Sequence, residues 1–127
     1  MQDVREEAGE NMIVEFEGLP VSSNHAYFRS NNKRMFMSKE GSAFKEAMAW
    51  RAKGFTPLEG DVKATVTLWF ADNRRRDAQN YIKLMLDSLE GYCYKDDTQI
   101  SDLIVLRRRG ALPRTKVEIE RANGKCD

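Results

Sequence analysis

Apolar and polar residues alternate most regularly across residues 61–70, "DVKATVTLWF". Strict alternation over this length predicts a β-strand with one buried face, because successive side chains of a strand point to opposite sides. Residues 12–18, "MIVEFEG", alternate in the same way and predict a second strand. The side chains expected on the buried faces are Val14 and Phe16 in one strand, and Val62, Ala64, Val66, Leu68 and Phe70 in the other.

Two other segments have the apolar spacing of a helix. In the first, residues 39–53, Ser38 can cap the start and Gly54 can end the helix. In the second, residues 78–90, Gly91 follows at the position where helices commonly end. Apolar residues give this second helix a buried stripe, formed by Ile82, Met85, Leu86 and Leu89.

The remaining apolar segments predict two hairpins. Aromatic runs at residues 26–29 and 34–37 flank "SNNK", whose asparagines tolerate turn conformations. The last two segments, residues 99–109 and 114–121, predict strands that pair with each other through a turn at residues 110–113. Together these elements predict an α+β domain in which two helices cover one face of a mixed β-sheet.

At 127 residues the chain is long enough for one domain. We expect this domain to cover residues 12–121, with a disordered leader or non-native extension at residues 1–11 and a flexible tail at residues 122–127. The sequence contains no stretch apolar enough for a membrane span or a signal peptide, and its two cysteines do not make a disulfide framework or a zinc site. These features predict a cytoplasmic protein.

The net charge of +1 conceals an uneven distribution. Residues 1–17 hold six acidic residues and one basic residue, so the rest of the chain carries 20 basic and 14 acidic residues, a net charge of +6. The excess is clustered at residues 74–76 and 107–109, followed by Arg114 and Lys116. Such clusters suit a polyanion such as nucleic acid, and a solvated protein face explains them equally well.

Polar residues line the side of the second predicted helix that lies opposite its apolar stripe. Asp77, Asn80, Lys83 and Asp87 recur at steps of three, three and four residues, which places them along one face. A purely structural interpretation is available, because Asp77 can cap the helix and Lys83 can pair with Asp87. Taken alone, the pattern favours the structural interpretation over a chemical role.

A second acidic element, Asp96–Asp97, stands in the turn after this helix. If the chain returns to the helix by a short connection, the pair lies near Asp77. Carboxylates at close range repel one another, so a divalent cation favours their clustering, and oxygen ligands suit Mg²⁺ or Mn²⁺. A cation held by carboxylates beside arginines suggests hydrolysis of phosphodiester bonds.

Residues 74–100, "RRRDAQNYIKLMLDSLEGYCYKDDTQI", closely resemble the signature of the RusA family of Holliday junction resolvases. That signature comprises arginines, D-x-D-N, a lysine three residues on, a D-x-L helix and a D-D-x-Q-I/V element. The stretches "LPVSSNHAYFR" and "MFMSKEGSAFKEAMA" are similar to the family's P-x-S-x-N-x-x-Y/W and S-x-E-G-x-x-Y/F-K/R elements. The resemblance covers about residues 12–121.

The resemblance implies a small α+β homodimer that acts on four-way DNA junctions rather than on a small molecule. It would cut two strands symmetrically, with one Mg²⁺-dependent site per subunit. By position, Asp77 and Asp97 match catalytic, metal-binding aspartates, and Asp96 stands beside Asp97 as an auxiliary acid. Lys83 matches the catalytic lysine, which would steady the scissile phosphate or orient the attacking water. The residues expected to contact DNA are Arg74, Arg75, Arg76, Asn80, Asn24, Arg29, Lys33 and Arg34.

One position departs from the family pattern, because Gln79 occupies the second aspartate of D-x-D-N. Glutamine can offer a carbonyl oxygen to a metal but supplies no charge. The other aspartates suffice, or Asp87 compensates despite a rise of ~15 Å from Asp77 along a continuous helix, or the protein cuts poorly. The alternatives to a resolvase are therefore a non-catalytic junction-binding protein and, as a third class, a nuclease for flaps or forks.

Overall fold

The computed structural model describes residues 4–8, 11–22, 26–29, 35–73 and 77–122, which form seven strands, two α-helices and two short 3-10 turns. The strands are β1 (Val4–Ala8), β2 (Asn11–Glu17), β3 (Tyr27–Arg29), β4 (Met35–Met37), β5 (Val62–Phe70), β6 (Ile100–Arg109) and β7 (Arg114–Arg121). The helices are α1 (Lys39–Ala52) and α2 (Lys83–Ser88), and the 3-10 turns are Ala78–Tyr81 and Asp97–Gln99. Within these described residues, no helix is both long and apolar enough to cross a membrane.

Five strands form one mixed sheet in the order β1-β2-β7-β5-β6. β5 pairs in parallel with β6 and antiparallel with β7, and the pairs β7–β2 and β2–β1 are also antiparallel. β5 buries every second residue from Val62 to Phe70, as its alternation predicts. Alternate residues of β2 and β7 are buried in the same way, so one face of the sheet is apolar.

Both helices pack against this apolar face. The core joins Met48 and Ala52 of α1 and Met85 and Leu86 of α2 to the buried residues of β5. The opposite face carries polar residues that stay partly exposed, such as Lys63 of β5. The prediction of an α+β domain with two helices on one face of a mixed sheet is therefore confirmed.

The expected hairpin between β6 and β7 is wrong, because β5 lies between these strands. The link between them crosses the end of β5, where the N–H of Gly110 donates to the carbonyl of Phe70 at 3.1 Å. A Cβ on Gly110 would lie 3.3 Å from the Trp69 ring, so the link passes close over the strand. This path gives the backbone groups of β5 a partner on both sides, which a local hairpin would not do.

The expected disordered leader is wrong for Val4–Ala8, which form β1. This strand pairs antiparallel with β2, with Val4 opposite Glu15 and Ala8 opposite Asn11. Without β1, β2 would be an edge strand with unpaired backbone N–H and C=O groups. Because strand pairing uses the backbone, the acidic composition of the segment does not prevent it.

The second predicted helix, residues 78–90, consists of a 3-10 turn followed by the short helix α2. Ile82 donates its N–H to the carbonyl of Gln79, three residues back, which keeps the first turn in 3-10 geometry. At the other end Leu89 likewise donates to Leu86, so the last turn tightens and α2 stops.

Helix α1 begins where the sequence predicts. The hydroxyl of Ser38 accepts the N–H of Gly41 at 3.0 Å, and the N–H of Ser38 donates to the carbonyl of Ala26 at 2.7 Å. The second bond joins the start of α1 to the residue before β3. The expected hairpin is present, with Tyr27 of β3 paired with Met37 of β4. Gly41 is buried at this junction, and a Cβ there would lie only 2.8 Å from the carbonyl oxygen of Ala26. The glycine allows the two backbones to approach.

We therefore predict that Gly41→Ala destabilises the protein, although alanine is the better helix former. The added Cβ meets backbone atoms that cannot rotate away, and overpacking of this kind costs about 1–3 kcal/mol of unfolding free energy. Urea denaturation of the parent and the variant measures the difference. The matched control is Ser42→Ala at the next, exposed helix position, where we expect a change within about 0.5 kcal/mol. A Gly41→Ala protein as stable as the parent would contradict the close approach.

Candidate active site

The acidic residues singled out in the sequence lie on the connection between β5 and β6, residues 71–99. Because these strands are parallel, the chain must run back along the sheet before β6 begins. Near its start, the ring of Tyr81 packs edge-on against Phe70, the last residue of β5, with 5.9 Å between centroids. Near its end, the side-chain amide of Gln99 donates to the carbonyl of Leu58 at 2.9 Å, in the loop before β5. The connection is thus anchored at opposite ends of β5.

Tyr94 holds the turn after α2 against that helix. Its side chain is fully buried, and its hydroxyl donates to the carbonyl of Leu86 at 2.6 Å. Burial raises the pKa of Tyr94 above its ordinary value, so the hydroxyl stays protonated and remains a donor. Gly91 begins the turn with a φ of +88°, and its N–H donates to the carbonyl of Tyr94 at 2.6 Å. The chain therefore reverses towards α2 at the glycine that the sequence marks as the helix end.

Three carboxylates meet where this turn returns to α2. Oxygen atoms of Asp87, Glu90 and Asp97 all lie within 4.8 Å of one another. Glu90 also accepts the backbone N–H of Asp97 at 2.9 Å, which fixes the second 3-10 turn beside the end of α2. Lys83 stands one helical turn before Asp87 and pairs with its carboxylate at 3.5 Å. We call Asp87, Glu90 and Asp97 the carboxylate cluster.

A shallow depression of about 290 Å³ adjoins the carboxylate cluster. Its lining combines charged side chains of the crossover connection with apolar side chains from α2 and β6, namely Lys83, Leu86, Asp87, Asp97, Ile100 and Leu103. The cationic and anionic groups therefore face the same open space, where a phosphate group of a polymer could enter.

The donor set of the carboxylate cluster fits a divalent cation. Carboxylate oxygens are the ligands that Mg²⁺ and Mn²⁺ prefer, and three of them at this spacing repel one another unless a cation offsets their charge. Asp87 and Glu90 are half-buried and Asp97 is exposed, so water can complete the coordination of an ion held here.

The predicted metal ligands Asp77 and Asp96 do not belong to the carboxylate cluster. The carboxylate of Asp77 caps the first 3-10 turn by accepting the N–H of Gln79 at 3.0 Å. The carboxylate of Asp96 caps the second by accepting the N–H of Thr98 at 2.9 Å. The carboxylate that meets Asp97 from the preceding helix is that of Asp87, and the expected proximity of Asp97 to Asp77 stays a prediction.

Sequence reasoning assigns no role to Glu90 and treats Asp87 as too far from Asp77 to replace Gln79. The distance between Asp87 and Asp77 does not affect the carboxylate cluster, because Asp87 lies beside Asp97 instead. The signal that could have revealed this is Gly91. A glycine at a helix end commonly reverses the chain, so side chains just before it can face those that follow the turn.

A second depression, of about 310 Å³, is basic and lies at the other end of β5 and β6. Its lining includes the predicted cationic cluster Arg107, Arg108 and Arg109. The guanidinium of Arg107 lies 5.6 Å from the centre of the Phe70 ring, and Arg109 donates a hydrogen bond to Asn73. These contacts orient two guanidinium groups beside Phe70 and Asn73, which come just before residues 74–76 in the sequence.

The predicted DNA contacts are described only in part. Arg29 is exposed on β3, and Asn80 is half-buried on the first 3-10 turn. The other predicted contacts lie outside the described residues; they are Asn24, Lys33, Arg34, Arg74, Arg75 and Arg76.

The cap formed by Asp96 predicts a pH-dependent stability. The Thr98 N–H holds the pKa of Asp96 below its ordinary value, so the cap stabilises the fold fully above the ordinary value, and this contribution is lost as pH falls through the lowered value. We predict that Asp96→Ala lowers the unfolding free energy at pH 7, that the gap between parent and variant begins to close only below about pH 4, and that the two converge below the lowered pKa of Asp96. Denaturant unfolding across this range measures the gap, with Asp61→Ala as the control for loss of an exposed carboxylate. A gap that does not change with pH would contradict the assignment.

Comparison with known proteins agrees with the resemblance in the sequence. A family model described as endodeoxyribonuclease RusA matches residues 17–120. A crossover junction endodeoxyribonuclease of Enterobacteria phage 82 is 34% identical over 89 residues, which cover 67% of this chain and 74% of the phage protein. Proteins of the same name from Escherichia coli strain K12 and Shigella sonnei strain Ss046 are 33% and 32% identical over the same length and shares. The chain therefore belongs to the RusA family of endodeoxyribonucleases.

Proposed function

We propose that this protein is a Mg²⁺-dependent endodeoxyribonuclease that binds four-way DNA junctions and resolves them by paired, symmetric nicks. The observation that carries the proposal is the carboxylate cluster with Lys83 beside an open depression, in a member of an endodeoxyribonuclease family. The names of the relatives, crossover junction endodeoxyribonucleases, support a junction as the substrate. Mn²⁺ would substitute for Mg²⁺, because both accept the same oxygen ligands.

In this proposal Asp87, Glu90 and Asp97 hold the cation. When bound, Mg²⁺ supplies a Lewis acid that favours ionisation of water and offsets charge on the scissile phosphate. The ammonium of Lys83 is kept at the depression by its pair with Asp87 and steadies a phosphate oxygen. Asp77 stays a predicted catalytic residue on the strength of its position in the family motif, while Asp96 serves mainly as a cap.

Basic residues would hold the DNA backbone beside the carboxylate cluster. Arg107 and Arg109 are oriented at the basic depression, and Arg29 is exposed on β3. Cationic side chains at these positions attract phosphates irrespective of base sequence. The expected contacts Asn24, Lys33, Arg34, Arg74, Arg75, Arg76 and Asn80 remain part of the proposal through the family motif.

A homodimer fits this activity, because a junction with two-fold symmetry calls for two equivalent active sites. We place the reaction in the cytoplasm of a bacterium or of a phage-infected host, since the relatives come from a phage and from enterobacteria.

The first test is cleavage of an end-labelled four-way junction, analysed on a denaturing gel with Mg²⁺ or EDTA. We predict paired nicks in Mg²⁺ and none in EDTA. Asp97→Asn should lower the cleavage rate at least about 100-fold, because a bound metal lowers the activation barrier by several kcal/mol. Asp96→Asn keeps an oxygen for the cap and should retain most of the rate. Asp61→Asn controls for the loss of one exposed charge elsewhere. Equal losses of cleavage rate for Asp96→Asn and Asp97→Asn would contradict the proposal that Asp97 binds the metal and Asp96 only caps the turn.

Gln79 favours a second candidate function, a junction-binding protein that does not cut DNA. It is exposed and stands where the family motif has an aspartate. The same gel separates the two functions when Gln79→Asp is added to it. A parent that binds junctions without nicking, with cleavage restored by aspartate, would establish the second candidate. Nicking by the parent, changed little by aspartate, is the result that we expect from the carboxylate cluster.

A further inference from the structure

The outer side of α1 carries an exposed tryptophan. Trp50 is 68% exposed, whereas Met48 and Ala52 on the other side of the helix are fully buried. The ammonium of Lys53, just after the helix, lies 4.6 Å from the centre of the Trp50 ring. An aromatic ring with a cation beside it suits a ligand that combines a flat ring with negative charge.

Trp50 borders a depression of about 270 Å³ between α1 and the turn after α2. Tyr92 forms the side of the turn; its ring is half-buried and packs against the core, which limits its movement. The side of the helix is formed by residues spaced three or four apart in one row, namely Glu46, Ala49, Trp50 and Lys53. The depression is smaller than the ~300–1,000 Å³ clefts that hold drug-sized ligands, so it suits a single ring system.

An adjoining depression, of about 350 Å³, continues along the same side of α1 towards β4. It shares part of its lining with the first, and its residues are Met37, Ser42, Lys45, Glu46 and Ala49. We call the two depressions together the α1 groove. From Ser42 to Lys53 the helix rises ~17 Å, the length of about five nucleotides at a stacked spacing of ~3.4 Å. Residues 39–53 carry four basic and two acidic side chains, a net charge of +2 that favours a polyanion.

We propose that the α1 groove binds unpaired DNA, with one base stacked against Trp50 and Tyr92 and the phosphates beside Lys45 and Lys53. Aromatic side chains bind the faces of bases in single strands, and cationic side chains along a groove attract the phosphates between them. A paired duplex does not fit this arrangement, because its bases are stacked on one another and offer no free face. The inference rests on the proposed function, which supplies a branched DNA substrate.

The α1 groove lies close to the carboxylate cluster along the chain. Glu90 belongs to the cluster and Tyr92 to the groove. Two residues of extended chain span at most ~7 Å, which limits the distance between the Cα atoms of Glu90 and Tyr92. A strand that is unpaired at the branch point would therefore occupy the groove while a neighbouring phosphate lies at the cluster.

Glu46 gives the α1 groove a preference among bases. Its exposed side chain lines both depressions, and an ionised carboxylate only accepts hydrogen bonds. The amino group of cytosine donates to a carboxylate, whereas thymine presents a carbonyl oxygen at the same position. We therefore expect single-stranded cytosine oligomers to bind at least about threefold more tightly than thymine oligomers, and Glu46→Ala to remove the difference.

Fluorescence of Trp50 tests the proposal on the full chain, in a Trp69→Phe background that leaves Trp50 as the only tryptophan. The probe is a single-stranded oligomer of about ten cytosine nucleotides, longer than the groove, titrated in EDTA so that no metal-dependent cleavage occurs. We expect binding to quench the emission of Trp50, because its ring stacks on a base. Emission that DNA leaves unchanged would overturn the proposal. Emission that changes with protein concentration alone would assign this surface to a second copy of the chain and overturn it too.

Anisotropy of the same oligomer, labelled with a fluorophore, measures the affinity of variants. Trp50→Leu should weaken binding about 5- to 150-fold, the range for removing one base–aromatic stack, and Trp50→Phe should retain most of the affinity. The matched control is Leu112→Ala, which removes an apolar side chain of similar exposure, 64%, elsewhere in the chain. Equal affinities for Trp50→Leu and Leu112→Ala would overturn the stacking, and equal affinities of the parent for cytosine and thymine oligomers would overturn the role of Glu46.

These measurements are independent of cleavage. Nicking of junctions by a protein whose Trp50 emission does not respond to single strands would leave the proposed function standing and overturn the groove. Quenching without nicking would support the groove and contradict the proposed cleavage.

Discussion

The parallel pairing of β5 with β6 is the constraint on which the rest of the structure depends. Two adjacent parallel strands cannot be joined by a turn, so the chain must travel back along the sheet between them. In this protein that connection carries α2, both 3-10 turns and every residue of the carboxylate cluster. The connection packs on the apolar face, because α2 contributes Met85 and Leu86 to the core. The fold therefore fixes the site at the sheet surface.

Two hydrogen bonds, one buried and one partly buried, fix the position of this connection. The Tyr94 hydroxyl donates to the carbonyl of Leu86 in α2, and the Gln99 side-chain amide donates to the carbonyl of Leu58 in the loop before β5. Between them, the backbone of Asp97 is held by Glu90. Because these contacts use neutral donors or a backbone N–H, they hold the carboxylates together without cancelling their charge. The remaining repulsion is what a cation would relieve.

The local elements follow from the sequence, and the long-range pairing does not. The alternation of Val62 to Phe70 and the Ser38 cap are signals within a few residues, and the structure confirms both. Gly91 begins the turn with a positive φ, but the helix before it already ends at Ser88. The choice of neighbours is different, because β6 and β7 each fit beside β5 or beside one another by pattern alone. A short polar segment such as Val4–Ala8 also shows no apolar pattern, although its backbone pairs with β2.

The same distinction between local and long-range signals applies at the candidate site. Asp97 and Lys83 were reached through motif and family resemblance, and both border the depression. The helical pattern does not indicate that Glu90 meets Asp97, because Asp97 lies across a turn rather than along the helix. An acidic residue before a 3-10 turn, such as Asp96, has the same appearance in sequence whether it caps the turn or binds a metal.

The location of the bound cation tests the central claim most directly. Titration of the ¹⁵N-labelled protein with Mn²⁺, followed by two-dimensional NMR, reports location because the paramagnetic ion broadens the amide signals nearest to it. The account predicts that the signals of Asp87, Glu90 and Asp97 broaden first, and that Glu90→Gln shifts this broadening to higher Mn²⁺ concentration. Broadening that begins at Asp77 and Gln79 and leaves Asp97 unchanged would contradict it.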